Sequence, residues 1–155
     1  MKKAKIVLLV LVILFGVIQL IPGMVNRNNP PVESDIPTSP EVKAVLKKAC
    51  YDCHSNESKW PWYSYVAPVS WLVSHDVQEA REEMNFSIWN SYEPKEQAEM
   101  HEDCWEMVSK NEMPLWFYVP LHPEAKLSEE DRMLIKNWAV GSSGSFQEEE
   151  QENEE

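Results

Sequence analysis

Cys50, Cys53 and His54 stand together in "KKACYDCHSNE", two thiols three positions apart with an imidazole directly after the second. A shuffled chain with the same three Cys and four His would show a Cys-x-x-Cys-His run only about once in a thousand. The chemistry such a run can do is specific. Each thiol can form a thioether to one of the two vinyl groups of a haem, and the adjacent His54 then meets the iron as proximal ligand. Two other chemistries compete. A Cys50–Cys53 redox disulfide of the thioredoxin kind needs a strand leading into the motif. Zinc needs four ligands, and His101 with Cys104, three apart on one helical face, would complete a Cys3His set. Cys104 beside Trp105 and Val108 also reads as a small buried apolar residue, and His101 as a core histidine.

The elements that must position these groups are helical. Ser39 or Thr38 can cap a helix that Pro40 opens, and Val42, Val45, Leu46 and Ala49 then fall at helical spacing and lead into Cys50. A helix rather than a strand therefore enters the motif, which disfavours the thioredoxin chemistry. After it, "KWPWYSYVAPVSW" packs three Trp, two Tyr and two Pro into a loop suited to lining a large apolar object. Val69, Val73, Val77, Ala80 and Met84 predict a second helix, and Lys95 to Asn111 a third. A fourth starts at Ser128, where Asp131 completes a capping box, and carries Leu134, Ile135 and Trp138. No run of alternating residues predicts strands.

The flanks predict organisation. Ile6 to Val25 is uncharged for twenty residues behind Lys2, Lys3 and Lys5, long enough as a helix for the roughly 30 Å hydrocarbon core of a bilayer. Residues 1–25 are thus expected to be a membrane anchor, with a signal peptide as the alternative, keeping the N-terminus inside and exporting the rest. Residues 26–40, with four Pro, predict an extended tether. Residues 41–140 form the domain, and the Gly-Ser stretch and six Glu of 141–155 predict a disordered acidic tail. The chain's net charge is -12, and the domain alone carries 18 acidic against 10 basic residues. That balance argues against nucleic acid, which needs clustered Lys and Arg.

Long stretches beyond the motif, "CYDCHSNESKWPWYSYVAPVSWLVSHDVQEAREEMNFSIW" and "EMPLWFYVPLHPEAKLSEEDRMLIKNW", closely resemble the bacterial haem-binding domain family of small membrane-anchored c-type haem proteins. The resemblance implies an all-α, cytochrome c-like domain of about four short helices around one covalently bound haem c. Cys50 and Cys53 take the thioether positions and His54 the proximal one. The family's Met-Pro element matches Met113 and Pro114, its Tyr element Tyr118 and its His-Pro element His122 and Pro123; Leu115 stands where members commonly have Pro.

For the distal side of the iron, Met113 is the favoured residue. It falls past a helix end in "NEMPLWFYVP", where a loop can bring a soft thioether across the haem. His75, His122 or an empty sixth position are the alternatives. The function expected from all this is a monohaem c-type cytochrome on the outer side of a bacterial cytoplasmic membrane, passing single electrons between unidentified redox partner proteins, with no catalytic residues. The second expectation is a haem-based sensor or a gas- or peroxide-binding module. The third is a zinc-stabilised binding domain.

Overall fold

A computed structural model describes the backbone of residues 2–21 and 25–153 and the side chains as far as Gly141. Among the described residues the fold is all-α, with no strands. The elements are α1 (Lys2–Ile18), α2 (Pro40–Ala49), α3 (Tyr51–His54), α4 (Val69–Glu83), α5 (Pro94–Ser109) and α6 (Glu129–Asn153), with short 3-10 turns at Trp62–Tyr65, Trp89–Ser91 and Pro123–Ala125. A lone bridge pairs Ser34 with Ile88.

The helix ends follow the chemistry of the sequence. Ser39 Oγ accepts the Val42 N–H at 3.4 Å with Pro40 in the first turn of α2. At the start of α6, Ser128 N–H donates to Asp131 Oδ2 at 2.7 Å and Asp131 N–H donates back to Ser128 Oγ at 3.1 Å. Lys48 then reaches both Asp131 oxygens at 2.7 Å and ties α2 to α6. Val45 of α2, Val108 of α5, Leu127 just before α6 and Ile135 within it make one core cluster; Ile36, Val42, Leu46, Tyr51, Phe86 and Trp89 make the other. The motif helix α3 lies between α2 and α4 and contributes Tyr51 to the second cluster.

The Pro-rich stretch is extended but docked. Ser34 N–H and Ile36 N–H donate to the carbonyls of Ser87 and Phe86, and Ile36 is buried. Arg81 of α4 grips it further, donating to Asn28 O and Asn29 Oδ1 at 2.8 Å each.

The N-terminal segment corrects the sequence expectation of a spanning helix at 1–25, and with it the single-pass location in a bacterial membrane. No helix among the described residues is long and apolar enough to cross a membrane. α1 has 17 residues and rises only about 26 Å, and its first turn is occupied by lysines. Just past its end Gln19 is captured: its amide donates to Ala67 O at 3.0 Å and accepts the Ala67 N–H at 2.9 Å. Pro22, Gly23 and Met24, counted in the expected span, lie outside the described residues, as does Met1. At the other end the backbone continues as helix to Asn153, past the expected boundary at 140. Gly and Ser lower helix propensity by up to about 1 kcal/mol each without forbidding the helix, and Gln and Glu favour it. The acidic side chains expected to form a disordered tail lie outside the described residues.

Candidate functional site

α2 delivers the chain to Cys50, whose N–H still donates to Leu46 O at 2.8 Å. One further turn, with Cys53 N–H and His54 N–H both donating to Cys50 O, puts the two thiols and the imidazole side by side. Cys50 packs on the Tyr51, Phe86 and Trp89 cluster together with Met84 and Cys104. Burial, with the neighbouring Cys53, pushes the Cys50 thiol up to about 12; burial, with Asp52 and Asp76, does the same for Cys53. Both sulfurs are therefore held as thiols at neutral pH.

His54 is the best-defined group of the three. Its Nδ1 donates to Met84 O at 3.1 Å, while Phe86 N–H donates to His54 O at 2.8 Å and the Phe86 ring tilts against the imidazole at 6.0 Å. Burial holds the ring's pKa below its ordinary value, so it is neutral. With Nδ1–H spent on a carbonyl, the lone pair is on Nε2, the arrangement a metal-ligating histidine needs. Behind it Arg81 Nε donates to Ser55 O at 2.8 Å, and buried Asn56, Asn85 and Ser87 bond to one another, so the segment carrying Met84 is fixed against the motif.

Two loops close over the motif, both bonded to Asp52 between the cysteines. Lys59 N–H donates to Asp52 Oδ1 at 3.1 Å, and Tyr118 Oη donates to Asp52 Oδ2 at 2.9 Å. The loops also meet directly where Tyr63 Oη and His122 Nε2 lie 2.6 Å apart, and the Tyr118 ring stacks on His122 at 4.1 Å. Both loops expose large apolar side chains: Trp62 is 77 % and Trp116 81 % exposed, with Tyr65, Phe117 and Leu121 also exposed. Beside Asp52 and His122 opens a cleft of about 430 Å³ walled by Lys47, Lys48, Lys59, Trp60 and Glu124. Its charged walls do not suit a porphyrin ring. They suit carboxylates at its edge, and the buried Trp60 Nε1 has no hydrogen-bond partner among the described residues.

The structure thus brings Cys50, Cys53 and His54 together. Met113 lies in the turn after α5, half-buried, its N–H donating to Met107 O at 3.2 Å; its loop is linked to the motif by way of Tyr118. The other sequence candidates are placed elsewhere. His75 is exposed beside Glu79. His101 is buried between Trp89 and Trp138, with Nδ1 donating to Gln97 O at 2.6 Å. Cys104 Sγ contacts Met84 Sδ at 3.6 Å in the core. Among the described residues no group of three or more His, Cys, Asp or Glu can hold a metal ion. The Cys3His zinc centre is thereby overturned.

An all-α module that presents paired thiols beside a neutral, oriented imidazole defines a class, the small helical domains that carry a prosthetic group. The chain belongs to the haem-binding domain family, whose model matches residues 13–140. No curated protein and no solved structure matches it. The expected membrane-anchored electron-transfer cytochrome is corrected on two findings: no described helix crosses a membrane, and no described cluster of protein ligands forms a pre-assembled metal centre. Its membrane partner falls with the first of these.

Sequence reasoning missed Asp52, Tyr63 and the Met84 carbonyl. Asp52 and Tyr63 had a signal, being polar residues inside the motif and inside the aromatic loop. A backbone carbonyl 30 residues from His54 had none.

Proposed function

We propose that this domain holds one haem c through Cys50, Cys53 and His54 and binds a small exogenous ligand, a diatomic gas or a peroxide, as a sensor or ligand-binding module rather than as an enzyme. The observation that carries the reading is the neutral His54 ring, pinned through Nδ1 to Met84 O with Nε2 left to ligate, one residue from Cys53. Cys50 and Cys53 would hold the haem covalently, each S–H group adding across one vinyl group to form one C–S and one C–H bond with no net gain or loss of electrons. When bound, haem supplies an iron that can take a sixth ligand. The exposed rings of Trp62, Trp116 and Phe117 offer apolar surface to the porphyrin, and Trp60 Nε1 with Lys59 offers donors to a propionate. Met113 is the residue that would offer a sixth ligand; its thioether would be a weak one, on a loop tied down by Tyr118 and His122, and could yield to an incoming ligand without disturbing the core.

The test is the protein produced with a c-type haem attachment system. The polypeptide should gain the mass of one haem and keep the pigment through acid-acetone extraction, and Cys50→Ala or Cys53→Ala should weaken that retention. Extraction of all the haem overturns covalent attachment. Carbon monoxide should bind the reduced protein, faster in Met113→Ala than in the wild type; failure to bind it in both overturns the ligand-binding reading.

A further inference from the structure

Beyond tying the two loops together, Tyr63, His122 and Glu124 form an array whose proton chemistry the haem-binding reading does not use. Tyr63 Oη lies 2.6 Å from His122 Nε2, and His122 Nδ1 lies 3.2 Å from Glu124 Oε1. The carboxylate can only accept, so it fixes the tautomer: Nδ1 carries the hydrogen and donates to Glu124, while Nε2 accepts the phenolic O–H. The His122 side chain is only 15 % exposed, and Tyr118 stacks on its ring at 8° to parallel while bonded to Asp52, so the ring cannot swing away from Tyr63. Tyr63 is itself close enough to the motif to feel the charge of Asp52. A phenol with a base so placed is built to lose an electron and a proton together.

We propose that Tyr63 is a redox-active tyrosine whose proton acceptor is His122, an outlet for the oxidising equivalent that hydrogen peroxide would generate at a bound haem. This use rests on the peroxide-binding reading of the module. In the step, Tyr63 gives one electron to the oxidant and its hydroxyl proton to His122 Nε2. The products are a neutral tyrosyl radical, an imidazolium whose Nδ1–H faces the Glu124 carboxylate, and the oxidant reduced by one electron. A soluble one-electron reductant of the phenol or enediol class returns the electron, and Nε2 returns the proton. Trp62, edge-on to Tyr63 at 5.9 Å and exposed, gives such an aromatic reductant a surface to stack on.

The experiment oxidises the haem-loaded full chain by two routes. Flash-generated tris(bipyridine)ruthenium(III) supplies the oxidant independently of peroxide chemistry, and hydrogen peroxide with rapid freezing supplies it through the haem. Electron paramagnetic resonance should show a tyrosyl radical after the flash that disappears in Tyr63→Phe and survives in Tyr65→Phe. His122→Gln keeps an acceptor for the phenol but no base, so the latch between the loops persists while the flash-driven oxidation slows about 100-fold and loses its solvent deuterium effect. Thermal melting of each variant confirms that it is folded. A radical that persists in Tyr63→Phe, or an unchanged rate in His122→Gln, overturns the proposal. A Tyr63 radical after the flash but none after peroxide upholds the tyrosine–histidine pair and overturns the peroxide reading of the haem instead.

Discussion

A thiol held near 12 by burial is nearly all protonated at pH 8, and only the thiolate reacts quickly with disulfide reagents. The folded haem-free chain should therefore label slowly at Cys50 and Cys53, and urea should accelerate labelling at both by at least about tenfold. Aromatic-disulfide absorbance with peptide mapping reads this out; fast labelling in the folded chain would show that the two thiols are open to solvent. Phe86 is the second residue on which the site depends, because its ring touches Tyr51, Trp89 and His54 at once and is fully buried. Phe86→Ala should cost about 3–5 kcal/mol in urea unfolding, and haem-loaded Phe86→Leu should keep its haem. At this scale the sequence was legible where the chemistry is local. Cys50, Cys53 and His54 announce themselves by spacing alone, whereas Met84 acts through its carbonyl, which any residue would have supplied.

Helices were legible by periodicity and caps, so α2, α4, α5 and the start of α6 fall close to where Pro40, Val69, Lys95 and Ser128 predict them. What escaped was contact between elements distant in the chain. The stretch before α2 has a composition that forbids regular structure, yet it docks because Arg81 on α4 supplies donors to Asn28, Asn29, Ser55 and Ser58 together. Hydropathy likewise reads α1 as apolar but overestimates its length, and gives no sign that Gln19, just past its end, finds a backbone partner at Ala67, 48 residues away. Arg81→Met keeps most of the side chain's packing and removes all these bonds. It should lower stability by about 2–4 kcal/mol and make residues 26–35 the first site of limited proteolysis; a variant cleaved no faster there would show that Arg81 does not hold the stretch.

Over the whole molecule, two buried imidazoles and two carboxylates paired with lysines contribute to the response to acid. Burial holds His54 and His101 below their ordinary value of 6.5. As the pH falls through 6.5 the unfolded chain takes up protons on both rings while the folded chain does not, so the unfolded state is favoured. This stability is complete above 6.5 and drains away as the pH drops towards the lower folded values. Asp35 and Asp131 titrate in a separate window. Burial pushes each carboxyl up, but Lys43 and Tyr51 at Asp35, and Lys48 and Ser128 at Asp131, outweigh it and hold both below 3.8. Their contribution survives the first loss and disappears only as the pH falls through those lower values. Urea unfolding of the haem-free chain from pH 8 to 5 should therefore show stability declining below 6.5. His101→Asn, which keeps a donor for the Gln97 carbonyl, should flatten part of the decline. A bound haem that kept His54 ligated in the folded and the unfolded chain alike would let it take a proton in neither, so the remaining slope in that range should belong to His101 and should shrink in His101→Asn. A loaded variant as steep as the wild type would assign the slope to some group other than these two rings.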